Sequence, residues 1–179
     1  MDYDLFRIRT ASIDDASLLA ELSVRTFYEA YASSNDADNL AEVVASTFEP
    51  GKQARTLADQ STHWFIADAQ GEAIGYAMLR NGERPTSISG TSAVQLARIY
   101  VLQSWHGRGV GAALMQACLD EAARQDHDTI WLGVWEHNPR AIAFYQKWGF
   151  VQVGAHAFRF GKEMQTDLLM QRAVNPRAA

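Results

Sequence analysis

The first apolar pattern along the chain predicts an amphipathic helix that follows a short strand at residues 6–9. Ser12 and Asp15 have the spacing of a capping box, in which a hydroxyl and a carboxylate bind the unpaired amides of the first helical turn. Residues at helical spacing then form the apolar face of this helix: Leu18, Leu19, Leu22 and Phe27.

A second helix is predicted from apolar residues with the same period: Leu40, Val43, Val44 and Phe48. Pro50 and Gly51 are expected to end it, because proline lacks an amide hydrogen and glycine is conformationally free. A short further helix is predicted after them, through Ala54, Leu57 and Ala58.

The middle of the chain alternates apolar and polar residues, which is typical of strands. Residues 64–68 and 73–80 flank Gln70-Gly71 and predict a β-hairpin, followed by a long loop at residues 81–92. Later strands are predicted at residues 94–101, 129–134, 150–153 and 166–172. A glycine-rich turn opens a helix that runs to about Gln125, and Asn138-Pro139 opens the last helix, which Gly149 ends.

This order, βααβββαβαββ, contains no repeat and no linker, and a mixed central sheet flanked by helices satisfies it. The fold class is therefore predicted to be a single α/β domain. We place its limits at residues 1–174, with residues 175–179 as a frayed tail.

Composition and charge exclude several classes of protein. The 179 residues are 47% apolar, enough for one core, and 16 basic against 21 acidic residues leave a net charge of −5, so no nucleic-acid partner is expected. No apolar run is long enough for a membrane span, and the first residues lack the pattern of a signal peptide. The single cysteine, Cys118, is expected to be a core residue in a reducing compartment, so we expect a cytoplasmic protein.

The segment from His106 to Ala112 is the most informative one for function. Gly107, Gly109 and Gly111 let the backbone approach a ligand closely, and the helix that they open adds partial positive charge, as a diphosphate site requires. A tight turn without a ligand explains the three glycines equally well. A P-loop is excluded, because no Lys-Ser or Lys-Thr pair follows the last glycine. A dinucleotide-binding turn is disfavoured, because residues 102–106 separate it from its strand.

Coenzyme A is the third candidate ligand, and the flanking residues favour it. The strand that ends in Ile99-Tyr100-Val101 precedes the turn, and Asn138, Tyr145 and Gly149 follow at characteristic positions. In these features the sequence resembles the GNAT superfamily of acyl-CoA-dependent N-acyltransferases. His106 departs from the family's Gln or Arg, whereas Gly109 and Gly111 match its pattern.

The resemblance is strongest to the PaiA-type acetyltransferases, which are linked to polyamines. The segment 96–101, with Arg98, and the C-terminal residues Gly161, Gln165, Asp167 and Met170 carry it.

The resemblance implies a GNAT fold and acetyl-CoA as co-substrate. In the family the strand before the turn and the next strand splay apart, and the pantetheine arm enters the gap. The implied cofactor-binding residues here are Ile99, Tyr100, Val101, His106, Gly107, Arg108, Gly109, Val110, Gly111, Ala112, Asn138 and Lys147. Asn138 fits a helix cap equally well.

The resemblance also implies that Tyr145 is the general acid that protonates the departing thiolate, which a phenol of pKa near 10 suits. Relatives commonly place a glutamate base where this chain has Gln95, and an amide cannot accept a proton. Glu136 and His137 are the nearest alternatives in the sequence, and Glu136 is our candidate base.

The expected acceptor is a small-molecule primary amine such as spermidine, bound by Tyr28, Glu29 and Tyr31 through charge and cation–π contact. A peptide or protein amine is the alternative substrate, and a non-catalytic acyl-CoA-binding protein is the alternative function that Gln95 motivates. The five histidines show no ligand spacing, so no metal is expected. A monomer and a homodimer are both compatible with the sequence.

Overall fold

The computed structural model describes residues 5–174, without the side chain of Pro50. The predicted tail at residues 175–179 lies outside this range. The elements in chain order are β1 (Arg7–Thr10), α1 (Ala16–Tyr31), α2 (Ala37–Thr47), α3 (Pro50–Ala58), β2 (Thr62–Ala69), β3 (Glu72–Arg80), β4 (Ala93–Val101), α4 (Val110–Arg124), β5 (Thr129–Trp135), α5 (Pro139–Lys147), β6 (Val151–Phe160) and β7 (Glu163–Ala173). The strands form a mixed sheet in the order β1-β2-β3-β4-β5-β7-β6, which confirms the predicted α/β class.

The chain folds into two compact units, which are described separately. The first contains residues 5–79 and 98–118, and the second contains residues 80–97 and 119–174. β4 and α4 each continue from one unit into the other.

In the first unit, β1 pairs with β2 in antiparallel register from Arg7↔Asp68 to Thr10↔Phe65. Gln70 (φ 54°) and Gly71 (φ 85°) form the predicted hairpin turn, since both have the positive φ that such turns need. Both faces of β3 are buried, which marks it as a central strand rather than a half-exposed one.

The helices of the first unit bury the predicted faces. Leu19, Leu22 and Phe27 of α1 and Leu40 and Val44 of α2 are all at most 9% exposed. The prediction that residues 50 and 51 end the second helix was wrong. α2 ends earlier, at Thr47, and Pro50 is the first residue of α3. The sequence prediction made α3 shorter and left it out of the element order.

In the second unit, residues Ala93–Gln95 of β4 run parallel to Thr129–Trp131 of β5. β5 pairs with β7 as far as Trp135↔Asp167, and β7 pairs with β6 across a bulge between Gln152 and Gly154. β6 extends seven residues beyond its predicted end at residue 153, to Phe160. Most of that extension is exposed, so backbone pairing with β7 holds it as a strand where no apolar alternation predicts one.

The long loop at residues 81–92 is held by apolar packing and by hydrogen bonds. Ile88 packs in an apolar cluster with Trp131 and Leu169, and the Asp128 carboxylate accepts hydrogen bonds from the Thr91 amide (2.7 Å) and hydroxyl (2.6 Å). These bonds lower the pKa of Asp128. Cys118 is fully buried, as predicted. Among residues 5–174, no helix has the length and apolar character needed to cross a membrane.

Candidate functional site

The glycine turn precedes α4 in the first unit and keeps its backbone open. Gly107 (φ 77°) and Gly109 (φ 85°) have left-handed conformations, and a Cβ placed on either would meet no atom within 4 Å. The Ala113 amide donates to the Gly109 carbonyl at 3.0 Å, so Gly109 caps the helix. The amides of Val110, Gly111 and Ala112 in the first turn then have no acceptor within the helix. They carry the positive end of the helix dipole.

His106 ties this turn to the end of β4. Its Nε2 lies 2.8 Å from the Val101 carbonyl oxygen, which can only accept, so Nε2 carries the proton. Its Nδ1 is buried and has no hydrogen-bond partner among the described residues. The imidazole therefore fixes the turn in place while the backbone amides stay available, which explains how histidine replaces the family's Gln or Arg. Next to it, the Arg108 guanidinium lies over the Trp105 ring at 5.1 Å.

The end of β4 rests on an aromatic layer. Tyr100 stacks on Tyr76 with the ring centroids 5.7 Å apart, and its hydroxyl lies 3.4 Å from that of Tyr31. Tyr76 is fully buried, and this burial raises the pKa of its phenol. The Leu102 amide donates to the Ile74 carbonyl of β3 at 2.9 Å. The backbone of Ile99, Tyr100 and Val101 is thus held by a rigid layer of the same unit.

These features fit a diphosphate group, because unpaired amides at a helix start and two glycines with open space form a binding site for an anion. A side chain at either glycine would project into that space. The first unit therefore offers backbone amides beside open space, which is the arrangement that an anionic group such as a diphosphate binds.

The predicted acceptor residues on α1 differ in their surroundings. Glu29 accepts a hydrogen bond from the Gln103 amide at 2.6 Å and lies 3.5 Å from Arg25, so its carboxylate joins α1 to the segment after β4. Tyr28 is 37% exposed. The structure brings Tyr31 and Glu29 to the segment at residues 100–103, whereas Tyr28 faces solvent.

In the second unit, α5 carries two of the predicted residues. The Asn138 side-chain oxygen accepts from the Ala141 amide at 3.1 Å, so Asn138 is the helix cap. Half-buried Tyr145, two turns on, packs edge-to-face against Phe144 and Phe150, with centroids 5.5 and 5.8 Å away. Lys147 is exposed in the last turn.

The polar side chains of the second unit differ in their exposure and in their partners. Glu136 is exposed, and its carboxylate lies 3.9 Å from the more exposed His137. The Gln95 side-chain oxygen accepts two bonds from the Arg80 guanidinium, at 3.2 and 2.7 Å. Asp167, to which the sequence reasoning gave no role, is half-buried on β7 beside Gly133. Its place among the C-terminal residues that carry the PaiA-type resemblance was the sequence signal that could have found it.

Comparison with known proteins identifies the family of this chain. The profile of the acetyltransferase (GNAT) family matches residues 19–150. The chain belongs to the GNAT family. An uncharacterized N-acetyltransferase of Mycobacterium tuberculosis H37Rv is 34% identical over 160 residues, which cover 89% of this chain and 98% of the relative. The chain is thus an acetyl-CoA-dependent N-acetyltransferase, as the resemblance implied.

Two solved structures show the same fold. The PaiA N-acetyltransferase of Thermoplasma acidophilum in complex with coenzyme A matches with a TM-score of 0.74 at 18% identity, over 94% of this chain and 98% of that one. A ribosomal-protein-alanine N-acetyltransferase of Brucella melitensis matches with a TM-score of 0.71 at 20% identity, over 93% and 99%. At these identities the likeness concerns the fold. Among residues 5–174, no cluster of His, Cys, Asp or Glu has the arrangement of a metal site.

Proposed function

We propose that this GNAT enzyme transfers the acetyl group to a primary amine by direct attack, and that Tyr145 protonates the departing sulfur. Acetyl-CoA supplies the activated thioester. The observation that carries the proposal is the open glycine turn with its unpaired amides at the start of α4.

Backbone groups of the first unit do most of the cofactor binding in this proposal. The amides of residues 107–112 bind the pyrophosphate, and the β4 backbone at residues 99–101 binds the pantetheine arm. His106 holds these two segments together through its 2.8 Å bond to Val101. Arg108 adds positive charge beside the turn, where its stacking on Trp105 limits its motion.

Asn138, Lys147 and Tyr145 are the residues of α5 and its cap that we assign to acetyl-CoA. Asn138 uses its side-chain oxygen as the helix cap, which leaves its side-chain NH2 group to donate to the pantetheine arm. Lys147 contributes charge toward the phosphates. The Tyr145 phenol lies in a half-buried aromatic setting, and it donates its proton to sulfur.

The favoured acceptor class is a polyamine such as spermidine, on the strength of the likeness to PaiA-type enzymes. Tyr28 presents an exposed ring and Tyr31 a hydroxyl for a cation, and the net charge of −5 attracts one. Glu29 is engaged by the Gln103 amide, so it contributes negative potential rather than a free ligand. A peptide amine is the alternative, in line with the ribosomal-protein-alanine enzyme of the same fold. We place the catalytic domain at residues 1–174 and expect a cytoplasmic monomer or homodimer.

A calorimetric titration with acetyl-CoA, with NADPH as the control ligand, tests the cofactor site first. A micromolar dissociation constant for acetyl-CoA, about −8 kcal/mol, together with no heat from NADPH is the expected result. Thiol release is then followed with spermidine and with a peptide that begins with alanine. Binding of NADPH alone would contradict the proposal, and acetyl-CoA binding without thiol release from any amine would favour a non-catalytic protein.

A further inference from the structure

The proposed reaction needs a proton acceptor that the family's usual position does not provide. An alkylammonium of pKa near 10.4 must lose a proton before its nitrogen attacks. Gln95 occupies the position of the usual glutamate, and its side-chain oxygen already accepts two hydrogen bonds from Arg80. The Gln95 side chain is therefore bound to the Arg80 guanidinium, and none of its atoms is basic enough to accept a proton.

The strand register shows what else lies on the face of the sheet that carries Gln95. Side chains paired across neighbouring strands point to the same face, and alternate residues along a strand share that face. Gln95 pairs with Trp131, and two steps along β5 Trp135 pairs with Asp167. Asp167 in turn pairs with His156 of β6. A carboxylate and an imidazole therefore share the face that carries Gln95.

Gly133 makes room for these two groups on β5. A Cβ on Gly133 would lie 3.3 Å from Asp167 Oδ2 and 3.8 Å from His156 Nε2, so both atoms border the space above this glycine. Gly133 is itself exposed, so the space opens to solvent. A side chain at this position would enter the space that Asp167 Oδ2 and His156 Nε2 border.

Asp167 is an unusual carboxylate in its own right. It is half-buried, and the described residues give it neither a hydrogen bond nor an ion pair. Its pKa is raised by desolvation, and His156 acts in the opposite direction. Of the other ionisable groups nearby, Glu136 and His137 follow β5 and are exposed. A partly desolvated carboxylate without a partner costs stability, so its presence indicates a use for it.

Asp167 also lies at the end of β5 that leads to the proposed machinery. Its partner Trp135 is three residues before Asn138, and the Glu136 amide donates to the Thr166 carbonyl at 3.0 Å. β7 is thereby fixed to the segment that enters α5, the helix of Asn138 and Tyr145.

We propose that Asp167 is the general base of the reaction and that it binds the acceptor's ammonium group above Gly133. This inference rests on the proposed acetyl transfer. An N–H bond of the ammonium breaks and an O–H bond forms on Asp167. The freed electron pair of nitrogen forms the new C–N bond as the C–S bond breaks, and Tyr145 gives its proton to sulfur. The acylated nitrogen then loses its second proton, through water, to the Tyr145 phenolate, which leaves a neutral amide and a neutral phenol. The proton on Asp167 leaves to solvent past the exposed His156.

The test compares Asp167→Asn with the control Glu163→Gln, a change of carboxylate to amide at an exposed position of the same strand. Glu136→Gln is measured as well, because Glu136 is the other candidate base. Thiol release with spermidine is measured as kcat/KM from pH 6 to pH 10. At pH 7 we expect Asp167→Asn to lower kcat/KM by about 100-fold or more. The deficit should shrink as the pH approaches the amine pKa, because free amine then forms without a base. Glu163→Gln is expected to follow the wild-type profile, and acetyl-CoA affinity should be unchanged in Asp167→Asn and Glu163→Gln.

A deficit of Asp167→Asn that is constant across pH would overturn the inference, since loss of a merely structural contact has no reason to vary with pH. A pH-dependent deficit in Glu136→Gln instead would assign the base to Glu136. Failure of the proposed function itself is seen separately, as the absence of acetyl-CoA binding by the wild-type protein.

A carbon-13 titration of the Asp167 carboxyl group in the wild-type protein and in His156→Gln decides the matter without any turnover. We expect a pKa above the usual range for aspartate that rises further when His156 is replaced. An ordinary pKa that does not respond to His156→Gln would overturn the inference for every acceptor.

Discussion

Substitution of Gly109 by alanine separates the conformational role of the glycine turn from its role in binding. Gly109 and Gly71 have the same φ of 85°, and a Cβ at either position meets nothing within 4 Å. Gly71 lies in the hairpin turn between β2 and β3, whereas Gly109 caps α4. Gly71→Ala is therefore a matched control that carries the same backbone strain away from the proposed pyrophosphate site.

The magnitudes follow from this geometry. A residue with a Cβ in the left-handed region costs roughly 1–2 kcal/mol, and the reduced entropy of the unfolded chain offsets about 0.4–1 kcal/mol of it. Both variants should thus lose about 1 kcal/mol, or roughly 2–4 °C in Tm for a chain of this size. If the strain turns one amide away from a phosphate, the lost charged hydrogen bond is worth about 1.5–3 kcal/mol, or a roughly 10- to 150-fold weaker Kd.

Two assays on both variants are enough. Thermal unfolding measures the shared conformational cost, and calorimetry measures the Kd for acetyl-CoA. We expect equal losses in Tm and a weaker Kd in Gly109→Ala alone. Equal affinities in the two variants would refute the reasoning that the amides around Gly109 bind the pyrophosphate.

Three further predictions concern single side chains. Tyr145→Phe should lower kcat by about 100-fold with acetyl-CoA affinity intact, measured by thiol release and calorimetry; near-normal turnover would mean that another group protonates sulfur. Arg9 hydrogen bonds hold the pKa of Asp15 to about 2, so the bonded carboxylate stabilises the fold above pH 3.8 and loses this effect as the pH falls through 2. Asp15→Asn should then cost about 1–2 kcal/mol at pH 7 in urea unfolding and much less at pH 2, and equal costs would contradict the ion-pair account. Gln95→Glu should leave kcat/KM at pH 7 unchanged, because Arg80 would lower the pKa of the new carboxylate by about 1–3, whereas a clear gain would show that this position still serves a base.

The sequence predicted the elements whose apolar faces are buried, because burial imposes a period that the residues display. The faces of α1 and α2 and the hairpin of β2 and β3 are confirmed on this basis. β6 was predicted too short, because its outer half is exposed and is held by backbone pairing with β7. The start of α3 at Pro50 was mistaken for a stop, since proline is also favoured in the first helical turn.

In the site too, features with a local sequence pattern were predicted and features without one were missed. Glycine spacing indicates an open backbone, and the structure confirms the positive φ values of Gly107 and Gly109. Side chains that meet only through strand register leave no local pattern. Asp167 and His156 are eleven residues apart, and Gly133 lies far from both in the sequence, so no motif connects them. The double use of Asp15, as capping residue and as ion-pair partner of Arg9, was missed for the same reason.

The enzyme recognises its two substrates with different kinds of group. Acetyl-CoA is common to the family, and the groups proposed to bind it are mostly backbone amides, which tolerate replacements such as His106 as long as the turn keeps its shape. The acceptor amine needs a charged side chain at a defined place, and such a side chain is free to move to another strand of the same face. On β4, Arg80 binds Gln95, and on β7 Asp167 lies beside Gly133 without a hydrogen bond or ion pair among the described residues. Both observations are expected if the base has moved from β4 to β7. Acceptor specificity should therefore follow the residues around Gly133 and Asp167 more closely than those of the glycine turn.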